Sequence, residues 1–201
     1  LIFRQDGQTL ADLPKGALIG TSSIRRQVQL QAQRPDLTFK PLRGNIDTRI
    51  KKLEEGEYDA IVLAMAGLNR LGWLDQSRLH IQPLETSLCL PAISQGALAV
   101  ECREEDEELR QLLAAVQDEK TAAEVAVERA VLAQMNADCT FPIAAFAQQN
   151  GQDYQLEAML AKEDGQCVFV SLRGQDGQQL AEQAVRQLAD KGAVGMPWLK
   201  K

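Results

Sequence analysis

The residues with the most chemical content are arginines placed where short apolar runs end. Ala17-Leu18-Ile19-Gly20 reads as a buried strand, Thr21-Ser22-Ser23 as a turn with N-cap chemistry, and Ile24 to Arg34 as a helix without a breaker. Free N–H groups and the positive dipole end make the start of such a helix an anion site. Arg25 and Arg26 stand in its first turn, where a cation opposes the dipole by about 0.3–1 kcal/mol at an exposed site. A bound anion shared by the helix end and both guanidinium groups would reverse that penalty, and the planar guanidinium fork suits a carboxylate. A solvated basic face is the alternative. Arg43 at the end of the next strand, Arg49 a turn into the following helix, and Arg70 after a third strand repeat the placement. The C-terminal ends of parallel strands share one sheet edge, where ligands bind. Arg25, Arg26, Arg43, Arg49 and Arg70 are thus expected around one cleft, and several separated arginines suit a ligand with several carboxylates. Lys40, Lys51 and Lys52 read as solvated faces.

The elements that position these residues follow an α/β order. Leu37 to Pro41 reads as a second strand, Ile46 to Leu53 as a second helix, Tyr58 to Ala64 as a third strand, and a short helix runs on through Leu71. Strand and helix alternating in this way point to a mainly parallel sheet. From Pro83 the pattern changes. Pro91 to Gly96 reads as a connector, Ala97 to Cys102 as a strand, and Glu104 to Val116 as an acidic helix. Thr121-Ala122-Ala123-Glu124 reads as a capping box for a helix to Met135, with Val125, Ala126, Ala130, Val131 and Met135 on its packed face. Strands over 143–148, 154–161 and 167–173 follow, separated by Asn150-Gly151 and Asp164-Gly165 turns, with a last helix from Gln178 to Lys191. That is a small α+β domain with a three-stranded antiparallel sheet.

Composition bounds the partners. The 201 residues carry a formal charge of −6, with 45% hydrophobic and 25% charged residues, which is the profile of a soluble globular chain. Residues 1–52 nevertheless hold ten Lys/Arg against four Asp/Glu, an asymmetry that suggests an anion site there. Nucleic acid fits poorly, because the chain is acidic overall and poor in aromatics. No apolar run is long enough for a bilayer-spanning helix, and Leu1-Ile2-Phe3-Arg4 does not resemble a signal peptide. With no initiator Met, the sequence is expected to begin inside a longer protein. Cys89, Cys102, Cys139 and Cys167 form no C-x-x-C pair and His80 is the sole histidine, so neither a metal site nor a disulfide framework is expected, and a reducing cytoplasm is. Cys89, Cys102 and Cys167 have apolar neighbours and read as small packed hydrophobes. Cys139 lies between a helix and a strand, in a loop, where a reactive thiol and an inert one are both open readings.

The arginine stretches and the loop cysteine together resemble one family. The resemblance rests on GTSSIRRQ over 20–27, LRGN over 42–45 with Thr48 and Arg49, GEYDAI over 56–61, AGLNRLG over 66–72, and LPAISQGA over 90–97 with Glu101, Cys102 and Arg103. In this order and spacing they are similar to porphobilinogen deaminase, with the last fifty residues matching mainly in pattern. The resemblance implies a transferase of tetrapyrrole and heme biosynthesis. It joins porphobilinogen units head to tail, with loss of ammonia, into the linear hydroxymethylbilane. The growing oligopyrrole hangs from a dipyrromethane cofactor on a cysteine thioether, which maps to Cys139. Arg25, Arg26, Arg43, Arg49 and Arg70 map to the arginines that bind acetate and propionate groups of cofactor and substrate, with Ser22, Ser23 and Gln95 assisting.

The resemblance also implies an organisation. Residues 1–88 would form a periplasmic-binding-protein-like α/β domain, the second of the family. Residues 89–115 would return to a first domain absent from this sequence, and 116–201 would form the cofactor-carrying C-terminal domain. The family's catalytic aspartate belongs to that first domain and maps to no residue here, so no catalytic residue is expected in this chain, the chain alone is expected to be inactive, and Cys139 is expected to be an unmodified thiol in it. The intact enzyme is expected to be a cytoplasmic monomer with no nucleic-acid or membrane partner. The rival reading is a carboxylate-binding module of periplasmic-binding-protein type that does no chemistry.

Overall fold

Alternation along three strands sets the two faces of the first sheet. A computed structural model describes residues 1–4, 8–74, 79–135, 141–162 and 164–193. Its first lobe holds β1 (Ile2–Phe3), β2 (Leu18–Gly20), α1 (Ile24–Gln33), β3 (Thr38–Lys40), α2 (Ile46–Glu54), β4 (Ala60–Ile61), α3 (Met65–Arg70) and β5 (His80–Ile81). The strands lie in the order β3-β2-β4-β1-β5. Successive side chains point to opposite faces. Phe3, Ile19, Ala60 and Val62 therefore pack with Leu30 of α1 on one side. Ile2, Ile61 and Leu63 pack with Ile50 and Leu53 of α2 and Leu68 of α3 on the other.

The sheet is mixed rather than mainly parallel. β2 is parallel to β3 and β4, but β1 is antiparallel to both β4 and β5, with Ile2 opposite Ile61 and Ile81. β1 and β5 have two residues each, too short to show alternation in a sequence. Gly20 ends β2 where a Cβ would come within 2.9 Å of Ile61 and Tyr58, so glycine lets the chain pass closely before the hydroxyl turn.

In the second lobe, α4 (Glu107–Ala114) and α5 (Glu119–Gln134) precede a meander of β6 (Ile143–Asn150), β7 (Asp153–Ala161) and β8 (Cys167–Gly174), closed by α6 (Gly177–Leu188). Gly151 and Gly165, at φ 66° and 82°, supply the left-handed positions the two tight turns need. Ala145, Ala147, Leu156, Ala158 and Leu160 meet Val127, Val131, Leu180 and Ala184 on the helical side. The opposite side of this sheet, through Ala144, Met159 and Ala161, receives Leu90 of the connector and Val28 of α1. The two lobes thus share an apolar seam with Leu90 at its centre.

Three expectations change. Residues 97–102 form no strand; Leu98 and Val100 are 78% and 70% exposed, because no strand among the described residues lies beside them to take their hydrogen bonds. α4 likewise buries none of its residues. α5 is capped by Asp118, whose side chain accepts from Thr121 N–H at 2.7 Å, while Glu124 instead accepts from Gln149 N–H at 2.8 Å. Its packed face is Val127, Val131 and Met135 together with a buried Glu128, and Ala126 faces solvent.

Gly177 begins α6 directly against α5, where an added methyl would run into the Val127 side chain. Gly177→Ala is expected to destabilise the C-terminal lobe by about 1–3 kcal/mol through overpacking, despite alanine's better helix propensity. Urea denaturation checks this; an unchanged or higher midpoint would show that Val127 gives way freely.

Candidate functional site, an arginine-lined cleft between the lobes

Where β2 runs into α1, the sequence builds one wall of a cleft of about 790 Å³. Ser23 is the N-cap of α1 and accepts from Arg26 N–H at 3.4 Å. Ser22 ties the turn to the end of β3 by exchanging bonds with the Leu42 backbone, donating at 2.9 Å and accepting at 3.0 Å. The fixed turn presents Arg25 and Arg26 from the first helical turn. Arg49 of α2 joins them, its Nε donating to Gly44 carbonyl at 2.7 Å. From the connector come Ala92, Ile93, Ser94 and Gln95, and from the second lobe Arg129, Leu132, Phe141 and Ile143.

The arginines are held by neutral acceptors. Arg25, only 6% exposed, donates to the Leu90 carbonyl and, at 3.4 Å, to the Gln95 carboxamide oxygen. Arg26 donates to the Val62 carbonyl at 3.0 Å and to the same Gln95 oxygen at 3.2 Å. Among the described residues neither makes an ion pair with a carboxylate. Burial lowers the Arg25 pKa to about 10 and also lowers that of Arg26, yet both stay cationic at neutral pH. Concentrated positive charge without a carboxylate counter-ion among the described residues, behind low-dielectric walls, suits a multivalent anion. Arg34 shows the contrast: a bidentate pair with Asp36, both contacts 2.8 Å, holds that carboxyl well below the usual range and leaves Arg34 committed to structure.

Arg25, Arg26, Arg49, Ser22, Ser23 and Gln95 come together in the cleft wall. Arg43 and Arg70 lie outside that lining, both exposed, with Arg70 donating to the Gly96 carbonyl of the connector at 3.1 Å. Cys139 lies outside the described residues, although Phe141 and Ile143, shortly after it in sequence, line the cleft.

Sequence reasoning missed three polar side chains. Arg129 faces the arginine wall from α5 and makes no hydrogen bond or ion pair among the described residues. Gln29, 1% exposed, grips the Leu90 backbone from both sides, accepting from its N–H at 2.8 Å and donating to its carbonyl at 3.2 Å. Buried Glu128 accepts from Ser94 and Ala147 N–H groups. Cys89, Cys102 and Cys167 are unpaired, half-buried thiols, and burial raises the pKa of Cys89 and Cys167. Among the described residues no group of three or more His, Cys, Asp or Glu could hold a metal, and no helix is long and apolar enough to cross a membrane.

An α/β lobe joins an α+β lobe across an arginine-walled cleft, and comparison with known proteins gives this arrangement a family. Residues 1–111 match the family model described as porphobilinogen deaminase, dipyromethane cofactor binding domain, and residues 122–191 match porphobilinogen deaminase, C-terminal domain. The chain belongs to the porphobilinogen deaminase family. It is 95% identical over its whole length to a porphobilinogen deaminase of Streptococcus sanguinis, of which it covers 66%. It is 48% identical over 98% of its length to that of Geobacillus kaustophilus, covering 63% of the relative, and 48% identical over 92% to that of Bacillus subtilis, covering 59%. The chain thus spans less than two thirds of the length of these relatives.

Proposed function

We propose that this chain is the part of a porphobilinogen deaminase that cradles the carboxylates of its cofactor and of the growing oligopyrrole. The observation that carries the reading is the cleft in which Arg25, Arg26 and Arg49 gather with no carboxylate partner among the described residues. A dipyrromethane carries two carboxylates on each ring, and this donor set fits it. Arg25, Arg26 and Arg49 would hold acetate and propionate groups, with Ser22, Ser23 and Gln95 fixing the guanidinium wall, and Arg43 and Arg70 serving chain positions further along. Cys139 is the attachment point by thioether. The bound cofactor supplies a primer with a nucleophilic pyrrole carbon; the chain's own part is to bind, orient and neutralise. Membership of the deaminase family disfavours a carboxylate-binding module without chemistry.

The organisation proposed is 1–88 for the arginine lobe, 89–115 for a segment completing a domain outside this chain, and 116–201 for the cofactor-carrying lobe. The exposure of Leu98, Val100, Leu112 and Val116, and an α4 that buries nothing, support a missing cover over that segment. The enzyme is proposed to be a cytoplasmic monomer acting on porphobilinogen; the free thiols among the described residues agree with a reducing compartment.

The test compares the longer protein containing this sequence with the 201-residue chain, both incubated with porphobilinogen. The longer protein is expected to release ammonia and hydroxymethylbilane. The shorter chain is expected to make none, since no residue in it corresponds to the family's catalytic aspartate. Product from the short chain at a comparable rate would overturn the division of labour, and none from either would overturn the function.

A further inference from the structure

Gln95 is the hub of the arginine wall, because its carboxamide oxygen accepts from both Arg25 at 3.4 Å and Arg26 at 3.2 Å. Its aim depends on Ser94. Ser94 is the one non-glycine residue with positive φ among the described residues, at 62°, an uncommon conformation for a residue with a Cβ. Something must hold it there. Its N–H donates to Glu128 Oε2 at 2.6 Å, and the other oxygen of that carboxylate accepts from Ala147 N–H of β6 at 3.0 Å. Glu128 is 6% exposed and makes no ion pair among the described residues. A lone buried carboxylate is costly to keep. Only a carboxylate, however, offers two acceptor oxygens and no donor to two converging N–H groups.

We propose that Glu128 is a positioning residue for the carboxylate cradle: by gripping Ser94 N–H it sets the turn that aims Gln95 between Arg25 and Arg26. Through this path the second lobe fixes the guanidinium geometry of the first. A glutamine at 128 keeps the volume but turns an N–H₂ donor toward one of the two N–H groups. The Ser94 turn then relaxes and the arginines lose their common acceptor.

The proposal rests on the deaminase assignment above, and its test uses the longer, active protein. Glu128→Gln, Gln95→Ala and the double variant are compared by steady-state kinetics with porphobilinogen and by thermal unfolding. Each single substitution is expected to raise KM about tenfold with kcat nearly unchanged, the scale of one hydrogen bond to a charged group. The double variant is expected to show about the same tenfold increase, since both changes remove one shared effect. Increases that multiply to about a hundredfold would show independent roles and overturn the proposal. So would a lowered Tm for Glu128→Gln with unchanged KM, the mark of a purely structural tie. If Glu128→Gln does not fold, Glu128→Asp keeps the two acceptor oxygens but withdraws them by one methylene from the Ser94 N–H, and it enters the same cycle with Gln95→Ala. Turnover in the wild type with multiplying effects defeats this proposal alone; no turnover in the wild type defeats the assignment and the proposal with it.

Discussion

The longer enzyme carrying Cys139→Ser is expected to lose both the mass increment of a covalently bound dipyrromethane and at least about a thousandfold of its turnover, because a serine hydroxyl is a far weaker nucleophile than a thiolate for forming the link. Intact mass spectrometry reads the first effect and an ammonia-release assay the second. The other cysteines are poor substitutes. Cys89 is half-buried behind Arg25, with burial raising its pKa, and Gln29 Nε2 approaches its sulfur at 3.8 Å. Cys167 packs in the apolar seam beside Ala144 and Met159, and burial raises its pKa too. None of the three described cysteines lines the cleft, whereas Phe141 and Ile143 do. Cys89→Ser and Cys167→Ser are therefore expected to keep the increment. An increment that survives Cys139→Ser would move the attachment to another side chain.

Much of this site is legible in the sequence because its signals are local. A strand ending at Gly20, a hydroxyl turn and two arginines in the next helical turn lie within seven consecutive residues, and backbone geometry alone directs them to a shared edge. The opposing wall has no such signal. Arg129 stands on a helix where a guanidinium most often means solvent, and only the packing of α5 against β6 turns it toward the cleft. Glu128 was hidden for a related reason. Its neighbours Val127 and Val131 fix which face of α5 is buried, and that face admits a carboxylate only because Ser94 and Ala147 N–H groups wait there. In the fold, the second sheet was readable from long alternation and two glycine turns. The two-residue strands β1 and β5 were not, because their pairing depends on residues about sixty and eighty positions apart. The segment 97–102 taught the converse. Its alternation of Leu98, Val100 and Cys102 has the period of a strand, yet a strand exists only where a neighbour takes its hydrogen bonds.

The cleft assignment makes Arg26→Leu in the longer enzyme the most informative arginine substitution. Leucine keeps helix propensity and removes the charge, so α1 should persist. The Val62 carbonyl and the Gln95 oxygen each lose one donor, at 3.0 Å and 3.2 Å, so a modest stability loss of about 1–2 kcal/mol is expected. The kinetic loss should be larger. A charge-assisted contact to a carboxylate is worth about 1.5–3 kcal/mol, or roughly 10- to 100-fold in kcat/KM. Each added pyrrole brings two more carboxylates, so the deficit should grow with chain length and covalent intermediates should accumulate part-way. Arg26→Lys should recover only part of the rate, because an ammonium cannot reproduce the planar fork. Arg34→Leu supplies the opposite pattern. It breaks the bidentate pair with Asp36 and the bonds to the Leu10 and Leu13 carbonyls, outside the cleft, so it should lower Tm while leaving KM near wild type. If Arg26→Leu and Arg34→Leu changed stability and kcat/KM in the same proportion, the cleft arginines would be structural, and the lack of a carboxylate beside Arg25 and Arg26 among the described residues would need another cause than a polycarboxylate ligand.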